Sequence, residues 1–263
     1  MFVRSLNAAL TAAVIAGPLA LLPVTASAAP VIPVGLELML LVDVSGSVNG
    51  TEYDLQKTGY VNAFNSPTVQ TAIDGISGGI AVTYIEWSGA AEQSVLVGWT
   101  LITDATSASA FASALNATTR AYSGSTAPGS ALNFGAPLFT DNGYDGARLV
   151  IDVSGDGSQN DGDNTVAARN AALAGSVTQD AVDVINGLPI LGSEANLDTW
   201  YAANIQGGSG SFTLAASSFA TFQTAIERKL VAEITGTGIP EPATVMVLGA
   251  SLLGLGFARR RKG

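Results

Sequence analysis

The sequence contains no cysteine and no histidine in 263 residues. That excludes disulfides, zinc sites built on thiolate or imidazole, thiol redox chemistry, and every nucleophile that needs an imidazole partner. Charge is scarce as well, at 12% of residues, and positive charge nearly vanishes from the middle of the chain. Of 11 Lys and Arg, five (Arg4, Arg259, Arg260, Arg261 and Lys262) lie in the terminal segments. Between those segments six basic residues face twenty acidic ones, a net charge near −14. Such a field repels polyanions, so nucleic acid is excluded as a partner, and cations or neutral and cationic surfaces are the natural ones. Any chemistry must run on carboxylates, hydroxyls and a metal. The length suits one domain of about 200 residues, enough to bury an ordinary core.

Both ends read as addresses. Residues 1–28 hold one cation (Arg4), an apolar stretch broken by Pro18, and then Ala26-Ser27-Ala28, the pattern of a secretory signal peptide cleaved after Ala28. At the other end Pro240-Glu241-Pro242 precedes sixteen uncharged residues, 243–258, and the basic cluster 259–262. Sixteen apolar residues make a short transmembrane helix, and the cluster holds the extreme C-terminus on the cytoplasmic side. These three features in this order resemble the PEP-CTERM sorting signal of exopolysaccharide-producing Gram-negative bacteria. The resemblance implies export through the inner membrane, processing of the tail by an exosortase, and a C-terminal membrane anchor until then. The expected organisation is a signal peptide (1–28), one domain (29–235) and a sorting tail (236–263).

Strand-like and helix-like segments alternate between the two ends, which predicts an α/β fold with a mostly parallel sheet. Strands are expected at 36–42, 80–86, 94–99 (an antiparallel hairpin partner of the second), 147–153, within 184–191, and at 212–215 on the edge. Helices are expected at 51–65, 68–74, 105–118, after Pro128, and at 165–174, 197–204 and 217–233. The run Val42-Asp43-Val44-Ser45-Gly46-Ser47 has an echo in Ile151-Asp152-Val153-Ser154-Gly155-Asp156. In a doubly wound sheet of order 3-2-1-4-5-6, strands 1 and 4 are neighbours where the winding reverses, and ligands bind at their C-terminal ends.

Asp43, Ser45 and Ser47 follow a strand buried on both faces, and all three offer hard oxygen ligands suited to Mg²⁺, Mn²⁺ or Ca²⁺. With Gly124-Ser125-Thr126-Ala127-Pro128 in the middle and Asp156-Gly157 after a later strand, they resemble a von Willebrand factor A domain of a bacterial secreted subfamily. That family builds a metal-ion-dependent adhesion site (MIDAS) from these three loops. The resemblance implies a Rossmann-like doubly wound sheet of about six strands. It also implies a metal held by Asp43, Ser45, Ser47, Thr126 and Asp156. The third loop carries one residue more than the family's usual strand-Thr-Asp-Gly, so Asp152 rivals Asp156. Asp161 and Asp163 are candidates for a second Ca²⁺, against the plainer reading of a turn. Trp87 and Trp99 read as packing residues.

The expected function is non-enzymatic: cell adhesion or protein binding at the cell surface or in an exopolysaccharide biofilm matrix, with a protein or acidic polysaccharide supplying a carboxylate to the metal. Two alternatives stand beside it. One is a hydrolase using metal-activated water with Asp152 or Glu86 as base. The other is a metal-free structural matrix protein.

Overall fold

The structure is a computed structural model that describes residues 30–238. The expected signal peptide and the apolar tail helix lie outside the described residues. Among the described residues six strands build one sheet: β1 (Leu36–Asp43), β2 (Ile80–Trp87), β3 (Gln93–Ile102), β4 (Leu149–Gly155), β5 (Val184–Pro189) and β6 (Gly207–Gly208). Their order across the sheet is β3-β2-β1-β4-β5-β6. The four central strands run parallel, and β3 and β6 are antiparallel edges. This is the doubly wound arrangement expected from the sequence, with β1 beside β4 at the reversal of winding.

Every residue of β1 is buried. Leu36, Leu38, Leu40 and Val42 face a layer that includes Tyr60, Phe64, Phe222 and Leu230. Met39 and Leu41 face the other layer with Ile151, Val153 and Tyr201. Burial on both faces is why the strand reads as a continuous apolar run with no alternation. At about 1.5–3 kcal/mol per buried aliphatic side chain, this one strand is a large part of the core. The first layer carries helices α1 (Gly50–Asn65), α2 (Pro67–Asp74), α3 (Ala105–Asn116) and α7 (Phe222–Thr235). The second carries α4 (Pro128–Gly135), α5 (Thr165–Ala174) and α6 (Leu197–Asn204).

The one charge inside the apolar stretch 36–42 of β1 has a structural partner. Glu37 accepts from Asn142 Nδ2 at 2.5 Å and from the Gly146 amide at 2.7 Å. It thereby anchors a two-stranded parallel ribbon, Ile32–Val34 with Tyr144–Gly146, that sequence periodicity did not reveal. Burial pushes its carboxyl above the usual range, and the two donors oppose that.

Three expectations need correction. The hairpin strand β3 is longer than 94–99 and pairs with β2 through two register shifts. The expected helix at 217–233 opens as a single 3₁₀ turn, Phe219–Thr221, capped reciprocally by Ser218 and Thr221, before α7 begins. The expected strand at 212–215 does run beside β5, bonded as Gly187 N to Phe212 O, Leu214 N to Gly187 O and Ala216 N to Pro189 O. Pro189 has no amide to continue that ladder, so only isolated bridges form and β6 takes the strand position.

Candidate functional site

Three loops leave the C-terminal ends of β1 and β4 and the start of α4. The first is held at both ends. The Val44 amide continues the β1–β2 ladder to Trp87 O at 2.9 Å. Asn49 caps α1, accepting from the Thr51 and Glu52 amides while Glu52 returns to the Asn49 amide. Between these anchors Arg120 Nη2 donates to Val44 O and Ser45 O at 2.7 and 2.8 Å. The backbone of this loop is therefore fixed before any ligand arrives.

Within it the Ser45 amide donates to Asp43 Oδ1 at 2.7 Å, and Ser45 Oγ lies 3.1 Å from Ser47 Oγ. Ser47 Oγ donates to Asp156 Oδ1 at 2.6 Å, across 109 residues of sequence. The second loop joins them through Gly46 N to Gly124 O at 2.8 Å. Thr126 is tied to the third loop: its amide donates to Asn160 Oδ1 at 2.8 Å, and Asn160 Nδ2 lies 3.4 Å from Thr126 Oγ1. Ser45, Ser47 and Asp156 thus form one hydrogen-bonded cluster with Asp43 behind it, and Thr126 borders that cluster beside Gly157.

Asp152 lies elsewhere. Strand alternation turns its side chain away from Ile151 and Val153, into the layer of α7, where it meets Lys229 Nζ at 2.7 Å. The structure groups Asp156, not Asp152, with the serines. Glu86 also faces that layer, accepting from Tyr53, Tyr84 and the Ala121 amide. Asp161 Oδ2 accepts from the Ala90 amide, and Asp163 Oδ2 from Ser130 and Asn133, so both stitch loops together. Among the described residues no group of three or more carboxylates gathers, and the candidate site has two. Trp87 is wholly buried, and Trp99 packs on Phe139 and donates to Leu138 O.

Sequence reasoning missed Arg120, Asn160, Ser88, Ser193 and Tyr201. Ser88 directly follows β2 and accepts from the Gly124 amide at 2.6 Å. Ser193, after β5, donates to Asp156 Oδ2 at 3.0 Å. The rule that ligands collect at the C-terminal strand ends applies to the β5 loop too, and was the signal available for Ser193.

Asp43 is wholly buried, and its carboxyl is pushed up to about 7, by burial first and by negative Asp156, against the Ser45 amide. Its folded value lies above its unfolded one, so its contribution to stability is full below roughly pH 4 and is lost as pH rises towards 7. In chelator-treated protein this group is expected to lower the Tm as pH rises between roughly 4 and 7. Asp43→Asn should flatten that fall, as read by thermal unfolding across the range.

This doubly wound α/β arrangement is the fold of a von Willebrand factor A-like domain. The chain belongs to the family described as Protein of unknown function (DUF1194), whose family model matches residues 33–238. Residues 238–262 match the PEP-CTERM protein-sorting motif, a signal for export and exosortase processing. No curated protein matches the chain.

Solved structures that share the fold include those of three proteins. Proximal thread matrix protein 1 from the mussel byssus superposes with a TM-score of 0.54 at 16% identity, over 78% of this chain and 48% of that one. A von Willebrand factor type A protein from Catenulispora acidiphila gives 0.53 at 15% identity, over 76% and 42%. The pilus adhesin SpaC from Lactobacillus rhamnosus GG gives 0.53 at 14%, over 79% and 31%. The chain spans less than half the length of each. One further structure of the byssus protein, with a TM-score of 0.50 at 16% identity over 74% and 44%, has a zinc-occupied MIDAS motif.

Proposed function

We propose that this chain is an exported, non-enzymatic binding domain that holds a hard divalent cation, Mg²⁺ or alternatively Mn²⁺ or Ca²⁺, at the cell surface or in an exopolysaccharide matrix. The observation that carries this reading is the single cluster made by Ser45, Ser47 and Asp156 from two loops, with the wholly buried Asp43 directly behind it. The residues fit such an ion. Their donors are hydroxyl and carboxylate oxygens only, and Asp43 Oδ2 is buried without a hydrogen-bond partner. Ser45, Ser47, Thr126 and Asp156 would hold the ion, with Asp43 acting directly or through water.

Bound there, the ion supplies an electrophilic centre for a partner's carboxylate, from a protein or an acidic polysaccharide. Neutral hydroxyls suit that role because they leave much of the ion's charge unquenched. Adhesion is favoured over hydrolysis because the two candidate bases, Asp152 and Glu86, both face the opposite layer, each engaged with its own partners. Export and anchoring before exosortase processing rest on the PEP-CTERM motif.

Titration of the protein with Mg²⁺, Mn²⁺ and Ca²⁺ by calorimetry should give saturable one-site binding. Capture of a carboxylate-bearing surface should disappear with EDTA. Ser45→Ala should weaken metal binding at least tenfold while leaving the metal-free Tm within a few degrees. Capture that survives both treatments would overturn the reading.

A further inference from the structure

We infer that the β5–α6 segment is a fourth wall of this site, in which Ser193 and Tyr201 position its two carboxylates. The inference deepens the metal reading and rests on it. Asp156 is held from two sides: Ser47 donates to Oδ1 at 2.6 Å, and Ser193 donates to Oδ2 at 3.0 Å. The Ser193 bond comes from outside the metal-facing cluster and fixes the rotation of the carboxylate. The loop bearing Ser193 is stitched to the third loop by Ile190 N to Gly155 O at 2.9 Å and by Ser158 N to Glu194 Oε2 at 2.7 Å. Ser193 therefore moves with Asp156.

Tyr201 does the same for Asp43. Its ring is wholly buried, and its hydroxyl has no hydrogen-bond partner; the Asp43 Oδ2 atom is likewise buried and without one. Both atoms lie within 2.7 Å of the single point where a side chain on Gly155 would begin. A buried donor lacking an acceptor thus stands beside a buried acceptor lacking a donor. Burial and the neighbouring carboxylates, Asp43 among them, keep the phenol protonated. A small swing of either side chain about χ1 would bring the pair within hydrogen-bond reach. Gly187 makes room for the ring, since a side chain there would meet Tyr201 Cδ1 at 2.9 Å. With Oδ1 held by the Ser45 amide, engagement of Oδ2 by Tyr201 would leave Asp43 one orientation.

The test is calorimetric titration of the full chain with Mg²⁺ and Mn²⁺, for wild type, Tyr201→Phe and Ser193→Ala. Each variant is expected to lose about 10–100-fold in metal affinity. The metal-free Tm of Tyr201→Phe should stay within a few degrees of wild type, because the ring and its packing are kept and only one hydroxyl is removed. A lowered metal-free Tm with unchanged affinity would make Tyr201 a packing residue and overturn the inference; wild-type affinity in both variants would overturn it too. A metal-free double-mutant cycle of Tyr201→Phe with Asp43→Asn reads the contact independently. Non-additive Tm changes support the pairing and additive ones refute it, even should the wild type bind no ion, which would sink the metal reading itself.

Discussion

Replacing Lys229 by Met is expected to cost about 3–5 kcal/mol at neutral pH and to lower the Tm by roughly 10 °C. Lys229 is wholly buried on α7, with Nζ at 2.7 Å from Asp152 Oδ1 and 2.5 Å from Glu233 Oε1. Asn186 Nδ2 adds a donor to Glu233 at 2.9 Å, while Asp152 Oδ2 and Glu233 Oε2 have no hydrogen-bond partner. One cation thus serves two carboxylates inside an apolar layer. Met keeps the stem and removes the charge, which leaves two negative groups facing each other out of water. The folded protein must then bind a proton.

That requirement gives the variant a pH signature. Burial and the Asp152 charge already hold the Glu233 carboxyl above its usual range, against the pull of Lys229. Without Lys229 both carboxyls rise further, and protonating one at neutral pH costs about 1.4 kcal/mol per unit above its unfolded value. At about pH 5 the same protonation costs far less, so the stability difference from wild type should shrink by about half or more. Thermal unfolding of both proteins at two pH values measures this. A loss of equal size at both would mean that Lys229 contributes packing and not charge. Adding Asp152→Asn to Lys229→Met should recover part of the loss, because a single buried carboxyl then remains in need of a proton.

The same ion cluster marks where sequence reading stopped. The rival claims of Asp152 and Asp156 turn on alternation: Ile151 and Val153 face α6, so Asp152 must face α7. Lys229 and Glu233 lie on the helix face whose apolar members are Phe222, Ile226 and Leu230, so a buried charge was readable there. The three loops themselves were legible because hydroxyls and carboxylates two residues apart, directly after a buried run, are a local pattern. Arg120, Ser193 and Tyr201 were not, because they act across the fold on backbone carbonyls and carboxylates that no local spacing identifies. The echo between residues 42–47 and 151–156 marked the first and fourth strands as neighbours in a doubly wound sheet, and β1 does lie beside β4. The short ribbon beside β1 and the two-glycine strand β6 carry too little side-chain pattern to be read. Pro189 broke the expected edge strand from a partner segment, a non-local effect.

Gly155→Ala is expected to abolish metal binding at a stability cost of about 1–3 kcal/mol, the usual range for overpacking. A methyl at this position would lie 2.6 Å from Asp43 Oδ2, 2.7 Å from Asp43 Cβ and 2.7 Å from the Tyr201 hydroxyl. All are closer than van der Waals contact, so something must move. The β4 backbone cannot easily yield, because it is paired to β1 on one side and β5 on the other, and Gly155 O accepts from the Ile190 amide. The Asp43 side chain is the softer partner. Its displacement breaks the Ser45 bond and turns the carboxylate away from the serine cluster, while the core layers stay packed. Gly157→Ala is the control. It flanks Asp156 on the other side, and a methyl there comes no nearer than 3.7 Å to Thr126, so it should leave both Tm and metal affinity close to wild type. If the two alanine variants lost affinity equally, the effect would belong to stiffening of the Asp156 loop and not to the space that Gly155 leaves for Asp43. Loss confined to Gly155→Ala would instead tie ion affinity to the orientation of a carboxylate wholly shielded from solvent.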